Sequence, residues 1–330
     1  MQSGAVLLFL LLAVALCAHN GAVAIAAPLE GIARLSEASV NSLLFMFSET
    51  GRETMSRAAM TDTEKYLFDV HGYVVIEGML SSDEVSAANA AIDAHADQIT
   101  PRPNDLARGS QSLAAGKGRG DLGGMLSWDK PHCDPFRQMI AHPNSARLLQ
   151  EVCGPGFRLE GLGIITMDKG AEGFWFHEGG EPHDRSRGFL YRNGRMFTGM
   201  TNVAVQLSDV GPEDGGFACL PGSHKSNYAC PDDIRLYEAH QDRIAHIVAK
   251  AGDGVLFCEC LMHGALPWVA EHQRRSVIIR YNSGVQSEGT MGTWTPPAFY
   301  DELTAEQQAV ISLPQYRKED KGSALYQRPA

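Results

Sequence analysis

Positive charge is in short supply in this chain. Lys and Arg number 28 against 39 Asp and Glu, a net charge of −11 over 330 residues. A surface of that sign repels a polyphosphate backbone, so nucleic acid is not an expected partner. Cysteine is sparse, 7 in all, and no two are spaced Cys-x-x-Cys, which argues against a structural zinc site. Gly222-Ser223-His224 lacks the second glycine of a nucleophile elbow, so hydrolase chemistry is a poor fit. No internal repeat and no long linker follow Met60. The uncharged run Ala5–Ala18 has 14 residues, short of the roughly 20 needed to cross a bilayer. Hydrophobic residues at 44% and charged residues at 20% are ordinary for a globular chain. They exclude a disordered chain, a collagen and a multi-span membrane protein.

What is present divides at Met60. Ala5–Ala18 fits the apolar core of a signal peptide or signal anchor, although no Lys or Arg precedes it, and small residues follow as far as Ala27. Residues 30–59 are rich in Ser and Ala without firm periodicity. Residues 1–59 are therefore read as a signal or targeting extension, and 60–330 as a single domain with no stable membrane span in the mature chain. The extension, if real, sends the protein to the secretory pathway or an organelle; translation from Met60 leaves it in the cytoplasm. Beyond Cys17, the remaining cysteines are Cys133, Cys153, Cys219, Cys230, Cys258 and Cys260. They are read as packing residues, with disulfides as the alternative in an exported protein. Cys258 and Cys260 would share one face of a strand.

From Met60 the local signals are sharper. Thr61-Asp-Thr-Glu64 is a capping-box pattern. A Ser cap and acidic first turn at Leu80–Glu84 predict a helix to about Gln98. Residues 101–126 read as a long loop, and Asp134–Val152 as one helix ending at Gly154-Pro-Gly156. After Phe157 the texture changes to short Val/Ile/Phe/Thr runs: Leu159–Met167, Met200–Leu207, Gly216–Leu220, Val255–Cys258 and Val277–Tyr281. Gly, Pro, Asn and Asp punctuate them. No helices separate these strands over 157–230, so a mainly β sandwich or barrel of the jelly-roll class is expected, with helices before it.

Histidine is abundant, with 12 residues. Neutral imidazole is the commonest metal ligand in proteins. Two histidines and a carboxylate with open positions make the facial triad of non-haem Fe(II) oxygenases. His177, after Gly173-Phe-Trp-Phe, and the distant His263 would fit such a set on two strands. Spacing alone leaves a structural or surface role open for each. Arg274-Arg275 follows His263 by 11 and 12 residues and opens a β run, which points one guanidinium inward, where it needs an anion.

Here the residues carry a resemblance. Phe68-Asp-Val-His-Gly-Tyr-Val-Val-Ile-Glu-Gly-Met-Leu80, Asp214-Gly-Gly-Phe217, Leu220-Pro-Gly-Ser-His-Lys225, Ala251-Gly-Asp-Gly-Val-Leu-Phe257, His263-Gly264 and Arg274-Arg275 resemble, in order and separation, the phytanoyl-CoA dioxygenase family over about residues 60–285. The resemblance implies a double-stranded β-helix (jelly-roll, cupin-like) core with N-terminal helices packed on it. It also implies an Fe(II)-dependent dioxygenase that uses O2 and 2-oxoglutarate to hydroxylate a small organic or lipid-like molecule. His177 and His263 match the iron histidines. Arg274 matches the arginine for the far carboxylate of 2-oxoglutarate, with Arg275 as the register-shifted alternative and His224 beside the cosubstrate.

One position departs from that family. Its His-x-Asp reads His177-Glu178-Gly179 here. Asp184, beyond Gly179-Gly180-Glu181-Pro182, is taken as the replacement carboxylate, folded back onto the metal. Glu178 and a carboxylate-free site are the other readings, and His183-Asp184 is a rival proximal pair. In similar enzymes a Gly or Ala at this position goes with halogenation, because halide takes the vacated place; an iron-free binding protein is the further alternative. Residues 101–126 and the arginine-rich Arg185–Arg195 are expected to flank a pocket for a small-molecule substrate. Oligomeric state is not legible.

Overall fold

The Thr61 hydroxyl accepts from the Glu64 N–H while the Glu64 carboxylate accepts from the Thr61 N–H. This capping box, worth about 1 kcal/mol, starts helix α1 (Asp62–His71), which ends at Gly72 in the left-handed region. The computed structural model describes residues 60–179, 187–284 and 295–312. The targeting extension over 1–59, Cys17 and the His183-Asp184 pair lie outside the described residues.

After α1 come β1 (Tyr73–Ile76), α2 (Ser82–Ala94), β2 (Thr100–Pro101), β3 (Gly120–Leu122), α3 (Asp134–Met139) and α4 (Pro143–Val152). Then follow β4 (Arg158–Met167), β5 (Phe174–His177), β6 (Phe189–Arg192), β7 (Arg195–Thr198), β8 (Thr201–Gln206) and β9 (Gly216–Cys219). A short α5 (Asp232–Arg235) precedes β10 (Ala245–His246), β11 (Gly254–Cys258), β12 (His263–Leu266) and β13 (Arg274–Asn282), and α6 (Ala305–Ile311) comes last. One sheet runs β1-β11-β8-β13-β4-β3-β2, a second runs β10-β9-β12-β5, and β6-β7 is a separate hairpin. Every strand pairing is antiparallel. Two antiparallel sheets with helices on one of them make the jelly-roll core expected from the strand texture.

Strand β13 shows how the layers are set. Successive side chains along a strand point to opposite faces. Arg275 bonds Asn89 and Asp93 of α2, and the Tyr281 hydroxyl donates to the Ile140 carbonyl at 3.0 Å. Odd positions therefore face the helices. Arg274, Ser276, Ile278 and Arg280 face the other way. Asn202 pairs with Arg280 and with Phe257 across the ladder, so both share that face. The Phe257 ring meets Phe217 of the second sheet at 4.7 Å between centroids. The even face of β13 therefore looks into the space between the sheets.

Three expectations need correction. The helix expected over Asp134–Val152 is two helices, because Pro143 cannot continue α3 and instead opens α4, where the His142 imidazole accepts from the Asn144 N–H. The long loop contains β3, which pairs with β4. Its Gly/Pro-rich composition hides a strand that owes its place to a partner distant in sequence. Cys258 ends β11 while Cys260 lies in the following turn, so the two thiols do not share a strand face. The arginine-rich stretch is, from Phe189, a hairpin: Asn193 and Gly194 take φ of 54° and 75°, the primed turn that matches strand twist. The six cysteines of the described residues are free thiols, four of them buried. No helix of the described residues is long and apolar enough to cross a membrane.

Candidate metal centre

His177 is the last residue of β5 and His263 the first of β12, and the two stand directly opposite each other in the second sheet. Their ring centroids are 4.1 Å apart. Two motifs hold this register. Gly264 lets β12 close on β5, since a Cβ there would lie 2.5 Å from the Phe174 carbonyl oxygen. In the Leu220–Lys225 turn, the Ser223 hydroxyl accepts from the Met262 N–H at 2.8 Å, and the Leu220 N–H donates to the Met262 carbonyl at 2.9 Å. The residue before His263 is thus clamped from both sides.

Both imidazoles are held neutral. Burial, and then the neighbouring His263, push His177 far below its ordinary value. Burial pushes His263 down to about 4. Its Nδ1 lies 2.6 Å from the Leu261 carbonyl oxygen, which can only accept, so the proton sits on Nδ1 and Nε2 keeps a free lone pair. The Nδ1 of His177 is buried with no hydrogen-bond partner.

A third side chain joins them. Glu259, in the turn between β11 and β12, offers an oxygen that lies with one nitrogen of each histidine inside a group spanning 4.8 Å. Two neutral imidazoles and one carboxylate, buried and drawn together, are the donor set that iron(II) takes in a facial triad. The residues present fit the metal. Sequence reading passed over Glu259; its one signal is a carboxylate between Cys258 and Cys260, four residues before the distal histidine.

Arg274 opens β13 and is 3% exposed. Its Nε is buried without a partner and its Nη1 reaches only the Met167 sulfur, at 3.4 Å. No carboxylate pairs with it among the described residues. Burial, and then the nearby Arg119 charge, push its pKa down to about 10. A buried guanidinium in this state is a receptor for an anion. The Asp214-Gly-Gly-Phe217 motif makes room for it: Gly216 has φ of 87°, and a Cβ there would lie 2.9 Å from the Arg274 Nε. Asp214 fixes the turn by accepting from the Gly211 N–H at 2.6 Å.

The other expected site residues lie elsewhere. Arg275 points to the helical side, bonded to Gln273, Asn89 and Asp93, because alternation sends it opposite Arg274. It is corrected from a cosubstrate residue to a link between sheet and helix. His224 sits against α1: its Nε2 lies 3.1 Å from the Asp69 carbonyl oxygen and its ring meets Phe189 edge-on. It is not among the clustered donors. Glu178 takes φ of 61° and forms an ion pair with Arg187 at 2.9 Å, and it too is outside the cluster. Asp184 lies outside the described residues.

A jelly roll carrying a buried histidine pair, a carboxylate and a buried inward arginine belongs to the class of non-haem iron, 2-oxoglutarate-dependent oxygenases, for which iron, 2-oxoglutarate and dioxygen are cofactor and cosubstrates. Within it, this chain is a member of the phytanoyl-CoA dioxygenase family, which it matches over residues 68–276. It is similar to the ectoine dioxygenase of Sphingopyxis alaskensis, with 24% identity over 265 residues, 70% of this chain and 78% of that protein. Among solved structures it resembles HygX from Streptomyces hygroscopicus with nickel and 2-oxoglutarate bound, at TM-score 0.59 and 20% identity over 70% of this chain and 90% of that one. It also resembles SnoK, a carbocyclase of nogalamycin biosynthesis, at TM-score 0.51 and 16% identity over 69% and 86%. These structural likenesses speak to the fold.

Proposed function

We propose that this protein couples oxidative decarboxylation of 2-oxoglutarate to hydroxylation of a small organic substrate. The observation that carries the reading is the pairing of a buried, metal-compatible donor cluster with Arg274, a buried cation with no anionic partner among the described residues. His177 and His263 would hold iron(II), with a carboxylate beside them. When bound, iron supplies dioxygen activation, and with it oxidation of a C–H bond as 2-oxoglutarate is converted to succinate and CO2.

The chain's own residues do the rest. Arg274 binds the far carboxylate of 2-oxoglutarate and so aims its keto-acid end toward the histidines. The Leu261 carbonyl holds the His263 proton on Nδ1. Phe217 and Phe257 close on the His263 ring, with centroids at 6.0 and 4.8 Å, and keep water from that side. A second reading, halide transfer, rests on Gly179 standing where the family has a carboxylate. The test is anaerobic titration of purified protein with Fe(II) and 2-oxoglutarate. A weak visible charge-transfer band, followed by succinate formation on admitting air, is expected. Absence of both would make the protein a binding module instead.

A further inference from the structure

We propose that Glu259 is the third protein ligand of the metal, so that the carboxylate of this triad comes from the turn before the distal histidine and not from the loop after the proximal one. The inference rests on the oxygenase reading above and completes its site. Three observations meet on it. The Glu259 oxygen is clustered with nitrogens of His177 and His263 inside 4.8 Å. The carboxylate is buried, 8% exposed, and its hydrogen-bond partner is the neutral side-chain amide of Asn202. No cation pairs with it among the described residues. A buried carboxylate is normally paired, hydrogen-bonded to charge or bound to a metal. Two neutral imidazoles and an amide do not balance it; a divalent ion does.

The third observation is that the family position is closed. Gly179 has φ of 74°, and a Cβ built there would lie 2.5 Å from the Met262 Cβ. Met262 cannot yield readily, since its N–H and carbonyl are both bonded to the Leu220–Ser223 turn. An aspartate at 179 therefore has no room in this backbone. Glycine there is part of the fold, and the vacant family carboxylate is not by itself a halide site. With Glu259 in the triad the place a halide would take is filled, which favours oxygen transfer. Asn202, directly opposite Phe257 in β8, is a positioning residue: its amide N–H orients the Glu259 carboxylate from the neighbouring strand.

The test is cobalt(II) binding to the metal-free full chain, read by calorimetry and by the visible d–d spectrum, without 2-oxoglutarate. Expected are a wild-type site, at least about 100-fold weaker binding in Glu259→Gln, and about 10-fold weaker binding in Asn202→Ala, in the range for lost ligands and their supports. Asp184→Asn is expected to bind within about threefold of wild type, because in this assignment Glu259 already supplies the carboxylate, and the change is well short of the roughly 10- to 100-fold that a lost support costs. Wild-type affinity in Glu259→Gln, or its loss in Asp184→Asn alone, overturns the assignment. Should Glu259→Gln fail to fold by circular dichroism, Asn202→Ala and Asp184→Asn still decide. No cobalt binding by wild type overturns the oxygenase reading itself, a result distinct from the others.

Discussion

Replacing Arg274 by Met should separate what this side chain does for the fold from what it does for the cosubstrate. The fall of its pKa from 12.5 to about 10 corresponds, at about 1.4 kcal/mol per tenfold, to ~3 kcal/mol of unfavourable charge burial. Below pH 10 the group is charged in both folded and unfolded chains, so this penalty acts on the folded state throughout the neutral range. Met fills similar space without the charge, and such swaps are neutral or stabilising. Metal-free protein without 2-oxoglutarate should therefore melt several degrees higher, since each kcal/mol moves the midpoint of a domain this size by about 2–4 °C. The same change removes one partner of a buried charge-assisted pair, at about 2–5 kcal/mol. That is a rise of roughly 30- to several-thousand-fold in the dissociation constant for 2-oxoglutarate. Thermal melts and calorimetry on the metal-loaded protein, with and without 2-oxoglutarate, read both effects. A variant that melts lower and binds 2-oxoglutarate as tightly as wild type would refute the reasoning, because Arg274 would then be a structural cation with a partner. Lys at this position should not restore binding, as it lacks the two-pronged geometry.

Acid should destabilise the metal-free protein between pH 6.5 and about 4. Burial holds His224 and His263 at about 4 and pushes His177 lower still. In the unfolded chain these groups protonate near 6.5, so their contribution is complete above that pH and is lost as pH falls through the folded value, at ~3 kcal/mol each for His224 and His263. A calorimetric melt series showing a flat midpoint from pH 7 to 4.5 would contradict this. Glu172 is buried, and its carboxylate accepts from the Leu106 N–H at 2.8 Å and the Ala107 N–H at 3.4 Å. Glu172→Ala should cost about 2–4 kcal/mol in urea unfolding, since two buried donors lose their partner; a change under about 0.5 kcal/mol would show that the loop does not depend on it.

Local features were legible because they are written locally. Thr61-Asp-Thr-Glu64 caps a helix wherever it occurs, and the punctuated β runs from Leu159 to Tyr281 correspond to β4, β8, β9, β11 and β13. His177 and His263 were singled out, and the structure sets them opposite each other. Arg274 and Arg275 could not be separated by pattern alone, since a shift of one residue exchanges the two faces of a strand. The α2 side chains bonded to Arg275 decide that register. Asn193-Gly194 between β6 and β7 is a local hairpin signal of the same kind, since both residues tolerate the positive φ that the turn needs.

Glu259 was hidden for a different reason. A carboxylate between two cysteines in a turn has no periodicity and no motif, and its meaning appears only when β11 and β12, in different sheets, bring it beside His177 from 82 positions earlier in the chain. Local pattern and chemical type were enough to read the class of fold and several of its strands, and to single out His177, His263 and the Arg274-Arg275 pair as candidates. The tertiary structure alone decided which arginine turns inward, which carboxylate stands beside the imidazoles and why position 179 must be glycine. Each of those depends on the distance between atoms far apart in the chain.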